Sequence, residues 1–92
     1  MSKSKCKINY VNNSSLNAEF RLYNGWFPHM ESESVSAGEK GTSNLENPGF
    51  RCVMIWWDDK SYIGQNHTFD APYEYTITLH DDFTMTIDVT MD

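Results

Sequence analysis

Apolar and polar positions alternate with a period of two along most of the chain, and helical spacing nowhere persists beyond one turn, which predicts an all-β protein. Cys6, Ile8 and Tyr10 alternate with Lys5, Lys7 and Asn9, the pattern of a strand with one apolar face. The Asn12-Asn13-Ser14-Ser15 cluster predicts a turn. Leu16, Ala18, Phe20 and Leu22 then alternate with Asn17, Glu19, Arg21 and Tyr23, which predicts a second strand pairing with the first as a hairpin and ending at Asn24-Gly25.

Further on the pattern weakens and returns. Trp26-Phe27-Pro28-His29-Met30 reads as an aromatic loop, because Pro28 lacks a ladder donor and restricts its neighbour. A weak strand over Glu31 to Val35 and a short edge strand over Thr42 to Glu46 are expected before the turn at Asn47-Pro48-Gly49. From Phe50 to Trp57 both faces are apolar: Phe50, Cys52, Met54 and Trp56 on one, Val53, Ile55 and Trp57 on the other. Such a strand is either covered on both sides or part of an exposed adhesive face. Ser61-Tyr62-Ile63 is expected to re-enter the sheet and Gly64-Gln65-Asn66-His67 to leave it. The clearest hairpin follows Ala71-Pro72, with Tyr73, Tyr75, Ile77 and Leu79 facing Phe83, Met85, Ile87, Val89 and Met91 across an Asp81-Asp82 turn.

Strands at this spacing predict a single-domain antiparallel two-layer β-sandwich of about 7–9 short strands. With 92 residues, the whole span 1–92 is expected to share one core, to which 13 aromatic side chains bring the area that the few aliphatics do not.

Charge narrows the partners. Seven Lys and Arg stand against 13 Asp and Glu; Lys3, Lys5 and Lys7 lie at the very start, so residues 8–92 carry 4 positive against 13 negative charges, a balance of −9. An acidic body disfavours nucleic-acid phosphates and favours a neutral ligand or a basic protein. No apolar run is long enough to span a bilayer, and the lysines at the start precede no apolar signal region, so the expectation is a cytoplasmic protein or one exported without a signal peptide. In that compartment Cys6 and Cys52 are expected as free thiols, and the N-x-[ST] triplets at Asn12, Asn13 and Asn66 as chance matches.

Chemistry-bearing clusters are sparse. His29, His67 and His80 fall in separate elements without ligand spacing and read as solvent-exposed histidines. No nucleophile elbow or reactive-cysteine context appears, so no enzyme activity and no cofactor are expected. Asp58-Asp59 and Asp81-Asp82 offer a calcium site in principle, but adjacent aspartates are good turn formers and lack a calcium-loop signature. The aromatics are the stronger lead. Adjacent Trp56 and Trp57 must point to opposite faces of their strand. One of them, with Tyr23 or Tyr62, is therefore available to a ligand, as are Trp26, Phe27 and His29 on the loop unless they fold back into the core.

Four short stretches, Ile8-Asn9-Tyr10-Val11-Asn12-Asn13-Ser14, Gly25-Trp26, Ile55-Trp56-Trp57-Asp58 and Thr86-Ile87-Asp88-Val89-Thr90, give the chain a resemblance to the aegerolysins. That resemblance implies a small acidic β-sandwich that recognises membrane lipids and recruits a larger pore-forming partner. The residues and the resemblance together lead to the expectation of a non-enzymatic, lectin-like or lipid-binding module. Its contact surface is expected at Trp26, Phe27, His29, Trp57 and Tyr62, and its ligand is a lipid headgroup or glycan. The alternative is an acidic interaction or inhibitory module, dimeric or bound to a basic protein through the Phe50 to Trp57 strand.

Overall fold

The computed structural model describes residues 5–25 and 30–90, and every regular element among them is a strand. In chain order these are β1 (Cys6–Asn12), β2 (Ala18–Tyr23), β3 (Met30–Val35), β4 (Lys40–Leu45), β5 (Gly49–Trp56), β6 (Tyr62–Phe69), β7 (Glu74–Leu79) and β8 (Met85–Thr90). They form two four-stranded sheets, β4-β1-β7-β8 and β3-β2-β5-β6, the β-sandwich expected from the alternation.

Each strand buries the apolar half of its alternation. Cys6, Ile8 and Tyr10 from β1, Phe20 and Leu22 from β2, Val53 and Ile55 from β5, Phe69 from β6, and Tyr75, Ile77 and Leu79 from β7 are nearly or fully removed from solvent. Facing residues of two sheets about 10 Å apart interdigitate in this way, and the rings of Tyr10 and Phe20 meet edge to face across the gap at 5.3 Å. Burial holds Cys6 as a thiol, pushed up to about 11, and pushes Tyr10 up to about 12 while its hydroxyl bonds Ser43 Oγ at 2.8 Å.

Three expectations are corrected. β1 and β2 are not a hairpin, since they lie in different sheets. Asn12 is the physical reason: it is fully buried, its Oδ1 accepts from Ser14 N and Oγ (3.0 and 2.7 Å), and its Nδ2 donates to Leu16 O and Val35 O (both 2.9 Å). The side chain thus folds the following turn and ties the end of β1 to β3 in the opposite sheet. Second, the sandwich is not wholly antiparallel. β1 runs parallel to β7, with Ile8 opposite Tyr75 and Tyr10 opposite Ile77. A parallel pair needs a long crossover, and here the connection passes through the whole second sheet. Third, Gly64-Gln65-Asn66-His67 does not leave the sheet but continues β6 along β5, from Tyr62 opposite Trp56 to Phe69 opposite Gly49. Buried Phe69 and half-buried Ile63 anchor this otherwise polar edge strand.

The β7–β8 hairpin and the edge position of β4 agree with the alternation. Arg51 is an unexpected interior residue. It falls between Phe50 and Cys52 on the inward side of β5, is 5% exposed, and donates to the carbonyls of Phe50 and Asn47, so that its guanidinium fastens the β4–β5 turn.

Candidate functional site

The outer face of the second sheet brings the chemistry together. Register places Glu19, Arg21 and Tyr23 of β2 opposite Trp56, Met54 and Cys52 of β5, and sets Trp56 opposite Tyr62 of β6. Residues two apart on a strand share a face, so Arg21 lies between Glu19 and Tyr23 and bonds both: Nη2 to Glu19 Oε1 at 2.8 Å and Nη1 to Tyr23 Oη at 3.0 Å. These bonds, the one to Glu19 above all, favour the charged guanidinium and hold it above its ordinary value. Its central carbon lies 5.1 Å from the Trp56 ring centroid, within cation–π range. From the other neighbouring strand Tyr62 stacks on Trp56, with centroids 4.4 Å apart and planes 26° from parallel. The row guanidinium, indole, phenol therefore runs across three strands and ends at the 52% exposed Tyr62. Arg21 Nε and Trp56 Nε1 have no hydrogen-bond partner among the described residues.

Beside this row opens a groove of about 670 Å³. It is lined by Glu19, Arg21 and Trp56, by the amide and hydroxyl groups of Asn17, Ser34 and Ser36, and by Trp57, Asp58 and Asp59. The groove offers donors, acceptors, two indoles and three carboxylates, and Arg21 is its only cation among the described residues.

Of the residues expected to make contact, Trp26, Phe27 and His29 lie outside the described residues. Tyr62 is exposed on the outer face as expected. Trp57 is corrected: it shares the inward parity of Val53 and Ile55, packs against the core, and places its ring 4.9 Å from that of Phe83. Trp56 is the outward member of the pair, although Trp57 still borders the groove.

The aspartates act as turn formers. Asp58 Oδ1 accepts from the backbone N–H groups of Lys60 and Ser61, both at 2.7 Å, and Asp82 Oδ1 accepts from Thr84 N and Oγ1 at 3.2 and 2.6 Å. Among the described residues no three His, Cys, Asp or Glu side chains, the calcium candidates Asp58, Asp59, Asp81 and Asp82 included, gather into a metal-binding group. The two described histidines, His67 and His80, are less exposed than expected: His67 packs on Phe69 and Tyr75, with ring centroids at 5.0 and 5.6 Å, and half-buried His80 bonds Thr86 across the hairpin at 2.9 Å.

The alternation names Glu19 and Arg21 only as polar positions of β2 and does not single them out. Their signal was nevertheless present, since Glu19, Arg21 and Tyr23 are spaced by two and must share one face.

Fold and site together define an all-β sandwich with a charged and aromatic outer sheet face. A solved structure, that of the N-terminal domain of AlgF from P. aeruginosa, is similar to it in fold, with a TM-score of 0.73 at 9% identity over 99% of this chain and 99% of that chain. No protein-family model and no curated protein matches the chain. Among the described residues no helix is long and apolar enough to cross a membrane.

Proposed function

We propose that the protein is a non-enzymatic binding module that takes a neutral glycan on the outer face of its second sheet, at Tyr62, Trp56 and the adjoining groove. The observation that carries this reading is the stack of Tyr62 on Trp56 beside a groove lined by hydroxyl, amide and carboxylate groups. Sugars present C–H faces that dock on aromatic rings and hydroxyls that both donate and accept, and this surface supplies a complement to each. The net charge of −6 disfavours anionic glycans and anionic membranes. A lipid headgroup, the ligand class implied by the aegerolysin resemblance, is the competing outcome of the same titration.

The test follows tryptophan fluorescence while wild type and Tyr62→Ala are titrated with neutral, amino and acidic oligosaccharides and with phosphatidylcholine vesicles, at low and high salt. A change with neutral oligosaccharides that survives high salt and is lost in Tyr62→Ala is the expected result. A response to vesicles alone replaces glycan with lipid, and no response to any probe removes the reading.

A second reading draws on Glu19, Asp58 and Asp59 around the groove. They suit a lysine- or arginine-bearing segment of a basic protein, whose binding weakens steeply as salt rises. Polylysine serves as the probe for it.

A further inference from the structure

Four strands end the two sheets, and three of them carry charges that discourage further pairing. β3 has Glu31 and Glu33, β4 has Lys40, and β8 has Asp88. On β3 both glutamates share the inward side with buried Val35, a placement that blocks an incoming strand because its addition would trap the charge. That side of the sandwich is also closed. A Cβ added to Gly41 of β4 would lie 3.3 Å from Glu33 Oε2 and 3.5 Å from Val35 Cγ2 of β3.

β6 is the opposite case. Its sequence, Tyr62-Ile63-Gly64-Gln65-Asn66-His67-Thr68-Phe69, contains no Lys, Arg, Asp, Glu or Pro, and it is the longest of the four edges. It pairs with β5 without interruption from Tyr62 to Phe69, so no bulge twists the edge away. Every second residue turns its N–H and C=O away from β5, leaving a row of free donors and acceptors. Gly64, Gln65, Asn66 and Thr68 are exposed along it, so no described element covers the row. In a protein with 22% charged residues and a net charge of −6, an uncharged eight-residue edge stands apart from the surface around it.

We infer that β6 is the pairing edge for a second copy of this chain, the two β6 strands running antiparallel about a twofold axis and joining their second sheets into one eight-stranded sheet. Charge selects the occupant. A twofold at β3 would set Glu31 and Glu33 against their own copies, and the acidic remainder of each molecule resists approach elsewhere, whereas β6 meets β6 with no charged side chain on either strand. Both strands keep their outer residues on the same side when the axis stands perpendicular to the sheet. Centred on Gln65, this register sets Tyr62 opposite Thr68, Ile63 opposite His67, and Gly64 opposite Asn66 of the second copy. None of these pairs clashes in charge. The inference does not depend on what the groove binds.

Sedimentation equilibrium of the full chain up to about 1 mM, with amide hydrogen exchange measured at both ends of the concentration range, tests this. The expected mass rises from 10.7 kDa toward twice that value, and protection rises at alternate residues of β6 and at no other edge. Gln65→Lys, at an exposed position, places like charges together on the axis and is expected to weaken association by about tenfold or more while the circular dichroism melt is retained. A wild-type chain that stays at the single-chain mass throughout overturns the second-copy assignment and leaves the edge to a strand of another protein. A dimer that persists in Gln65→Lys, or that protects β3, β4 or β8 instead, overturns it equally.

Discussion

Tyr62 and Trp56 face one another across the β5–β6 pair and stack at 4.4 Å between centroids. Arg21, from the strand on the other side of β5, completes the row at 5.1 Å from the indole. The three side chains stand on a framework whose inner face is closed by Phe20, Leu22, Val53 and Ile55, so core packing fixes the backbone beneath them. Positioning of this kind lowers the entropy lost when a ligand binds.

Truncating Tyr62 therefore separates binding from folding. Tyr62→Ala removes a half-exposed ring from an edge strand and is expected to cost only about 0.5–1.5 kcal/mol in urea unfolding, the range for an aromatic pair, while abolishing the fluorescence response to ligand. A loss of several kcal/mol would instead make Tyr62 a structural residue and undo the site.

The two cysteines differ in kind. Cys6 is fully buried and its thiol is pushed up to about 11, mainly by that burial, whereas Cys52 is half-buried on the outer face of β5; both are free. Thiolate is the reactive form, and a thiol needs access as well. Titration with a chromogenic disulfide at pH 8 is expected to modify one thiol per native chain, at Cys52, and a second only after denaturation. Cys52→Ser should abolish the native-state reaction and leave the second.

What the alternation made legible was which side chains are interior. Ile8, Phe20, Ile55 and Ile77 fall where a period of two puts them, and the β7–β8 hairpin follows from its short turn. Sheet membership was not legible, because a strand with one apolar face fits either layer; the buried Asn12 amide, bonded to Val35 O of the other sheet, marks where the chain crosses. β6 escaped for a related reason. Gly64, Gln65 and Asn66 carry no alternation, and their pairing is imposed by β5. In the site, the adjacency of Trp56 and Trp57 showed that one must face outward, but the choice between them rests on the parity of Val53 and Ile55.

Acid should weaken the domain through its turns. The backbone N–H of Lys60, with help from Ser61, holds the Asp58 carboxyl below its ordinary 3.8, and the Thr84 hydroxyl does the same for Asp82. A carboxylate lowered in the folded state stabilises it fully above the ordinary value, and that contribution disappears as pH falls through the lowered folded value. Asp58→Asn with Asp82→Asn keeps an oxygen acceptor at each turn without a titrating group. Urea midpoints of the double variant are expected to fall less steeply than wild type below about pH 4. Parallel curves would assign the acid sensitivity to other carboxylates.

The crossing between the sheets depends on one amide. Asn12 is fully buried, and its four hydrogen bonds engage Ser14 twice, Leu16 O and Val35 O. Asn12→Ala removes all four of these bonds at a fully buried position, leaving Leu16 O only its bond from the Ser14 hydroxyl at 3.0 Å, and is expected to cost roughly 2–4 kcal/mol in urea unfolding. Asn12→Asp retains the acceptor at Ser14 but cannot donate to the two carbonyls, and adds a charge where burial is complete, so it should cost at least as much. Its neighbour Asn13 is exposed, and Asn13→Ala is expected to stay within about 0.5 kcal/mol of wild type. If Asn12→Ala unfolds like Asn13→Ala, backbone bonds such as Asn12 N to Glu39 O at 3.0 Å and Asn13 N to Leu79 O at 2.8 Å hold the crossing without the side chain.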